Sequence, residues 1–237
     1  MDISSVSRRE VLRYLGYRGQ AEPDRAVADE IEMCLGLLAE KAEPRHRVRS
    51  FLLELGPEHE IRFDRVHTSS RQLSKNLAGC GEILVFAATL GLGTDYLIQR
   101  YNRLQMSRAV ILQAAAAAMI EEYCDRVCRE LKAAYEAKGL YLRPRFSPGY
   151  GDFPLECQPY LLECVDGGKQ LGIRLTGGYL MMPSKSVTAV MGLGRTPCGC
   201  EVKGCEACGK KGEIWGFKTV GIAKTDEEMQ SWIAQHD

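Results

Sequence analysis

The run RFSPGY at residues 145–150 combines side chains that suit a small-molecule site. Arg145 offers a planar guanidinium fork that matches a carboxylate. Pro148 stiffens the turn, Gly149 allows a ligand to approach the backbone, and Tyr150 supplies a ring with a polar tip. A ligand with an amino-acid end and an aromatic base would use these groups. A structural turn around a buried arginine is the alternative.

A second candidate is the run MMPSKSV at residues 181–187, followed by TAVMGL. The pattern predicts a two-stranded hairpin that turns around Pro183 to Lys185. Ala189 and Gly192 are small, so the return strand would leave room for a flat ligand against the backbone. An ordinary hairpin within a sheet is the alternative.

The C-terminal part of the chain is rich in cysteine. Four thiols fall within eleven residues: Cys198, Cys200, Cys205 and Cys208. Their spacing is compatible with a zinc or iron–sulfur site, although C-x-C is unusual and a second C-x2-C is missing. A loop of free or paired thiols is the alternative. Three further cysteines fall on apolar helix faces and are expected to be buried hydrophobic residues: Cys34, Cys124 and Cys128.

Two familiar enzyme motifs are not supported. Gly91 and Gly93 follow an apolar strand, but the third position of a dinucleotide-binding loop would be Tyr96, which is too bulky for that packing. We interpret this run as a strand-to-helix turn. Ser147 is not in a G-x-S-x-G elbow, and the four histidines have polar surroundings, so a serine hydrolase has little support.

Composition limits the class of protein. Of 237 residues, 45% are hydrophobic, and 31 basic residues balance 31 acidic ones, so a nucleic-acid partner is not expected. The N-terminus has no apolar signal segment, and the longest apolar run, residues 109–120, is too short and alanine-rich for a membrane span. These features predict a cytoplasmic location, where thiols stay reduced or bind metal.

Periodicity and punctuation predict the elements that position these residues. Ser69 or Ser70, Thr94 and Ser107 are expected to cap helices. Helices are predicted over residues 8–15, 23–41, 108–138 and 159–165, and strands over residues 47–55, 60–66 and 82–89. This order favours an α+β fold, a single domain over residues 1–237 with a twisted, mostly antiparallel sheet flanked by long helices. Residues 1–43 would form its N-terminal helical part and residues 196–237 a cysteine-containing tail.

Taken together, the two runs resemble the activation domain of cobalamin-dependent methionine synthase in a free-standing form. The resemblance rests on Arg145-x-Ser-Pro-Gly-Tyr150 and on Met182-Pro183-x-x-Ser186-Val187, which are separated by a distance in sequence comparable to that in the family. Its specific part covers residues 140–195, and a looser likeness extends upstream through the LAGC run at residues 77–80.

The resemblance implies a site for S-adenosylmethionine. Arg145 would hold the ligand's carboxylate, Tyr150 would contact its methionine portion, and Ser147 would contribute backbone beside Gly149. Met191 and Gly192 stand where the family has an aromatic pair against which the ligand lies. Glu121 is the candidate for the acidic partner of the ligand's amino group.

The resemblance also implies a role. The chain would support reductive methylation of Co(II) cobalamin that is carried by the corrinoid-binding module of a partner methionine synthase. An electron donor such as flavodoxin or ferredoxin would supply the electron. The chain would then be a component of a methyltransferase rather than a complete enzyme. The alternative is a metal- or redox-binding accessory protein that acts through the cluster from Cys198 to Cys208.

Overall fold

The computed structural model describes residues 3–17 and 22–197. Its helices are α1 (Arg8–Tyr14), α2 (Arg25–Lys41), α3 (Arg71–Asn76), α4 (Leu92–Leu104), α5 (Met106–Glu136), α6 (Gln158–Cys164) and α7 (Gly167–Leu171). Its strands are β1 (Arg45–Leu52), β2 (Glu54–Leu55), β3 (Glu60–Phe63), β4 (Val66–Ser69), β5 (Cys80–Thr89), β6 (Tyr141–Leu142), β7 (Arg174–Leu175), β8 (Met181–Met182) and β9 (Ser186–Gly194). By its contacts the chain divides into Met1–Pro197 and Cys198–Asp237, and only the first unit is described below.

The main sheet has the strand order β1-β5-β9-β6, and every neighbouring pair is antiparallel. Two small antiparallel sheets, β2-β3-β4 and β7-β8, lie outside it. The predicted α+β class with a mostly antiparallel sheet is therefore confirmed. Arginines alternate along the start of β1, at positions 45, 47 and 49, and Arg49 donates a hydrogen bond to the carbonyl of Cys164 over 2.8 Å.

The main sheet separates two hydrophobic cores. Side chains alternate across a strand, so β9 turns Ala189 and Met191 toward a core with α5, while Val190 points into the other core. Helices α1, α2, α4 and α5 cover the first face, and α3, α6 and α7 cover the second. All nine residues of β9 are buried. A strand buried on both faces is expected to tolerate few changes of volume.

The long helix α5 was predicted correctly, but its predicted N-cap residue was wrong. Residues Ala114, Ala115, Ala116 and Ala118 are buried, and these small side chains let the helix lie close to its neighbours. The helix starts at Met106 after Gln105, which makes no side-chain cap, so the assignment of Ser107 as the cap was wrong.

The expected cap at Thr94 was also wrong. Helix α4 starts at Leu92, after Gly91 with a φ of 81°, and the Thr94 hydroxyl donates back to the Gly91 carbonyl over 2.8 Å. Gly93 lies directly against the Lys41 carbonyl oxygen, where a β-carbon would not fit. The two glycines therefore allow the tight strand-to-helix turn that the sequence indicated, and this turn packs against the end of α2.

The hairpin expected around Pro183 to Lys185 is absent. Strand β8 pairs with β7, whereas β9 pairs with β5 and β6, so the intervening residues turn the chain from one sheet into another. Asp95 holds this corner, because it accepts hydrogen bonds from the Ser184 amide (2.7 Å) and hydroxyl (2.6 Å). The strand predicted over residues 60–66 is likewise two strands, with a turn at Asp64, whose φ is 46°.

Among the described residues, no helix combines the length and the apolar character that a membrane crossing would need.

Candidate functional site

The turn after β6 is anchored to the main sheet at Phe146. The amide of Phe146 donates to the Val190 carbonyl and the amide of Val190 donates back, both over 2.9 Å. Beyond this bridge, the Tyr150 amide donates to the Ser147 carbonyl over 3.1 Å and closes the turn. Gly149 has a φ of 82°, a left-handed conformation that favours glycine. Gly149 therefore occupies a turn position that favours glycine, and a ligand contact there stays a prediction.

Arg145 is held against α5 by two carboxylates. Its Nη2 lies 2.6 Å from Asp125 Oδ1 and 3.2 Å from Glu121 Oε2. The Arg145 side chain is 19% exposed and that of Glu121 26%, whereas that of Asp125 is 55% exposed. The charged group is thus largely buried, and its Nη2 is directed at one face of α5.

At Glu121, burial and the neighbouring Arg145 act on the pKa in opposite directions. Burial raises the pKa of Glu121, and the attraction of Arg145 lowers it without cancelling the effect of burial. A carboxyl whose charge is disfavoured in this way gains from another nearby cation.

Tyr150 packs on the same turn. Its ring meets the ring of Phe146 edge to face, with the centroids 4.9 Å apart. Tyr150 and Ser147 are both half-buried, so each is within reach of a molecule that lies on the turn. The structure therefore brings Arg145, Ser147, Gly149 and Tyr150 together in one short segment.

Met191 and Gly192 are adjacent residues of β9, and both are buried. Met191 is fully buried, and its sulfur lies 3.7 Å from the thiol of Cys128. The space that a side chain at Gly192 would occupy is filled, since a β-carbon there would lie 2.7 Å from Cys80 Sγ and 2.9 Å from Leu77 Cδ2. A ligand contact at either residue would require these neighbours to move, and it stays a prediction.

Two residues of α5 were not identified at this site from the sequence. Asp125 follows Glu121 by four residues, which places both on one helix face, so the spacing was an available signal. Cys128 comes one turn later, between Arg145 and Met191 in the packing, and burial raises the pKa of its thiol to about 11. As expected, Cys34 and Cys124 are buried, and Cys128 is largely so.

Comparison with solved structures shows a similarity in fold. The chain is similar to the crystal structure of the MetH reactivation domain bound to AdoHcy, with a TM-score of 0.60 and 17% sequence identity. The similarity covers 81% of this chain and 76% of that one. This chain therefore shares the fold of that reactivation domain. No protein-family model matches the sequence, and no curated protein does.

The cysteine-rich run Cys198, Cys200, Cys205 and Cys208 lies outside the described residues. Over residues 3–17 and 22–197, no group of three or more His, Cys, Asp or Glu side chains could hold a metal ion.

Proposed function

We propose that this protein binds S-adenosylmethionine on the Arg145–Tyr150 turn and reactivates a cobalamin-dependent methionine synthase. The observation that carries the proposal is the placement of Arg145 beside Glu121 and Asp125, next to a P-G-Y turn, in a chain with a reactivation-domain fold.

The charges at the turn fit the amino-acid end of this ligand. The ligand's carboxylate would take the guanidinium of Arg145, and two acidic side chains on α5 would remain for the ammonium group. Asp125 is the more exposed of the two and is the first contact for an incoming cation. The ring of Tyr150 would pack against the methionine portion, with Ser147 and Gly149 offering backbone.

The proposed reaction needs cobalt on a second chain. An external donor, such as flavodoxin or ferredoxin, reduces Co(II) to Co(I) by one electron. The sulfonium methyl group of the bound ligand would then pass to the partner's Co(I), and the electron pair of the broken carbon–sulfur bond would remain on a neutral thioether. No acid or base is needed, so this chain contributes binding and orientation. Its contact with the corrinoid module would be transient, and the setting cytoplasmic.

Titration calorimetry of the purified chain with S-adenosylmethionine tests the central claim. We expect a single site that saturates in the micromolar to millimolar range. If no heat of binding is detected at millimolar ligand, the proposed function is wrong.

A second candidate is a metal- or redox-binding accessory role. It is favoured by one observation, the four closely spaced cysteines from Cys198 to Cys208. The two roles are compatible in one chain, and metal analysis tests the second without reference to the first.

A further inference from the structure

Asp152 connects the Arg145–Tyr150 turn to the start of α3. Its Oδ1 accepts hydrogen bonds from the Ser70 hydroxyl over 2.5 Å and from the Gln72 amide over 3.1 Å. Its Oδ2 accepts one from the Arg71 amide over 2.8 Å. One carboxylate thus makes three bonds to a segment about 80 residues away in the chain.

These bonds complete the N-terminus of α3. The first amides of a helix have no partner within it. Ser70 caps α3 in the usual way, because its hydroxyl accepts from the Leu73 amide over 3.1 Å. Asp152 takes the two preceding amides, those of Arg71 and Gln72. The cap is therefore shared between a local serine and a distant aspartate.

The turn consequently has two attachments. Phe146 fixes its start to β9, and Asp152 fixes its end to α3. Inside it, the Gly149 amide donates to the Phe153 carbonyl over 2.8 Å, and the Phe153 amide donates to the Tyr150 carbonyl over 3.0 Å. Of the groups that would meet a ligand, Ser147, Gly149 and Tyr150 lie between the two attachments, and Arg145 directly precedes the first.

We propose that Asp152 is a positioning residue for the ligand site. It holds the Arg145–Tyr150 turn, through the residues that follow it up to Phe153, against α3, so that Tyr150 and the backbone at Ser147 stay in the binding geometry. The proposal rests on the proposed function. A preordered turn binds more tightly because less conformational entropy is lost when the ligand arrives. Asp152 stays charged over the working pH range: burial raises its pKa, but the bonds from Ser70, Gln72 and Arg71 outweigh burial and lower it.

The test compares Asp152→Ala and Asp152→Asn with Asp24→Ala. Asp24 is a matched control, because its Oδ1 caps α2 through the Val27 amide over 2.8 Å, yet α2 does not hold the turn. Each variant is titrated with S-adenosylmethionine well below its unfolding temperature. Amide hydrogen exchange at Gly149 and Phe153 reports the order of the turn without ligand.

We expect Asp152→Ala to weaken affinity by about tenfold, as for a binding segment that must be ordered by the ligand. Exchange at Gly149 and Phe153 should accelerate in the same variant. Asp152→Asn, which keeps one acceptor oxygen, should fall between it and the wild type. Asp24→Ala should lower the unfolding temperature with affinity and exchange in the turn unchanged.

Wild-type affinity in Asp152→Ala overturns the proposal. An equal loss of affinity in Asp24→Ala also overturns it, since Asp152 would then act only through general stability. If the wild-type protein binds no ligand, the proposed function is wrong. If amide exchange at Gly149 and Phe153 is the same in Asp152→Ala as in the wild type, Asp152 does not order the turn, whatever the function.

Discussion

At the scale of single residues, Arg145 offers the most direct test of the ligand site. Arg145→Ala should weaken S-adenosylmethionine binding by about 2–3 kcal/mol, roughly 30- to 150-fold, because a charge-assisted hydrogen bond is lost. Titration calorimetry measures the change.

Arg108→Ala is the matched control for this experiment. Arg108 also pairs with a glutamate, Glu30, and its side chain is 20% exposed against 19% for Arg145. We expect lower thermal stability and unchanged affinity in this variant. A comparable loss of affinity in both variants would show that Arg145 acts on the fold rather than on the ligand.

Glu121 predicts a pH dependence with a definite sign. Its pKa is raised in the folded chain, mainly by burial, so the folded state holds the Glu121 proton more tightly than the unfolded state. The stability it contributes is complete below the unfolded pKa and is lost as pH rises through the folded value. Glutamine cannot ionise, so the Glu121→Gln variant does not lose this stability as pH rises. The melting temperature of the variant minus that of the wild type should therefore increase between about pH 4 and pH 7. A difference that is flat across this range would contradict the assignment.

At the scale of elements, β9 should be sensitive to added volume at one glycine. Gly192→Ala would place a methyl group 2.7 Å from Cys80 Sγ and 2.9 Å from Leu77 Cδ2, and we expect it to cost about 1–3 kcal/mol of stability through overpacking. Gly81→Ala, on β5, has open space around its β-carbon and should be nearly neutral. Denaturant unfolding of both variants checks this. If the two variants were equally stable, the side chains packed around Gly192 could move aside, as a ligand contact there would require.

The elements that were predicted correctly have strong local signals. The apolar stripe of α2, the alanine-rich run of α5 and the apolar residues of β5 each extend over two or more turns or a full strand. Pairing of β9 was missed because its partner β5 is distant in the chain. The start of α4 depends on the approach of Gly93 to α2, which is a tertiary constraint.

The same distinction applies to the site. Arg145 and Tyr150 belong to one short motif and were identified from it. Asp125 and Asp152 contact partners on other elements, so these contacts became visible only when the distances were known. For Asp125, the spacing of four residues from Glu121 was a local signal that both lie on one face of α5. Asp152 had no such signal.

At the scale of the whole molecule, the proposed activity needs a partner. Together with S-adenosylmethionine and a low-potential reductant, the chain should restore the methyl-Co(III) spectrum of an inactive Co(II) methionine synthase that lacks its own activation domain. Arg145→Ala should slow that recovery and leave turnover of active enzyme unchanged. Equal recovery without this protein would exclude reactivation even if it binds S-adenosylmethionine.

The cysteine-rich run predicts a separate outcome. If Cys198, Cys200, Cys205 and Cys208 hold zinc or a cluster, anaerobically purified protein should contain about one metal site per chain. The double variant Cys205→Ser and Cys208→Ser should lose it, while Cys34→Ser, a change at a buried thiol of α2, should keep it. Metal-free wild-type protein with full stability would contradict this assignment.

The pairing of β5 with β9 has a consequence for how a ribosome makes this protein. Ninety-seven residues separate Thr89 from Ser186, its partner across the sheet. At about 5–20 residues per second, the nascent chain would carry β5 with one edge unpaired for roughly 5–20 s. An apolar strand with an open edge attracts other chains. Nascent chains halted before Ser186 should therefore bind chaperones or aggregate, whereas chains released after Gly194 can close the sheet.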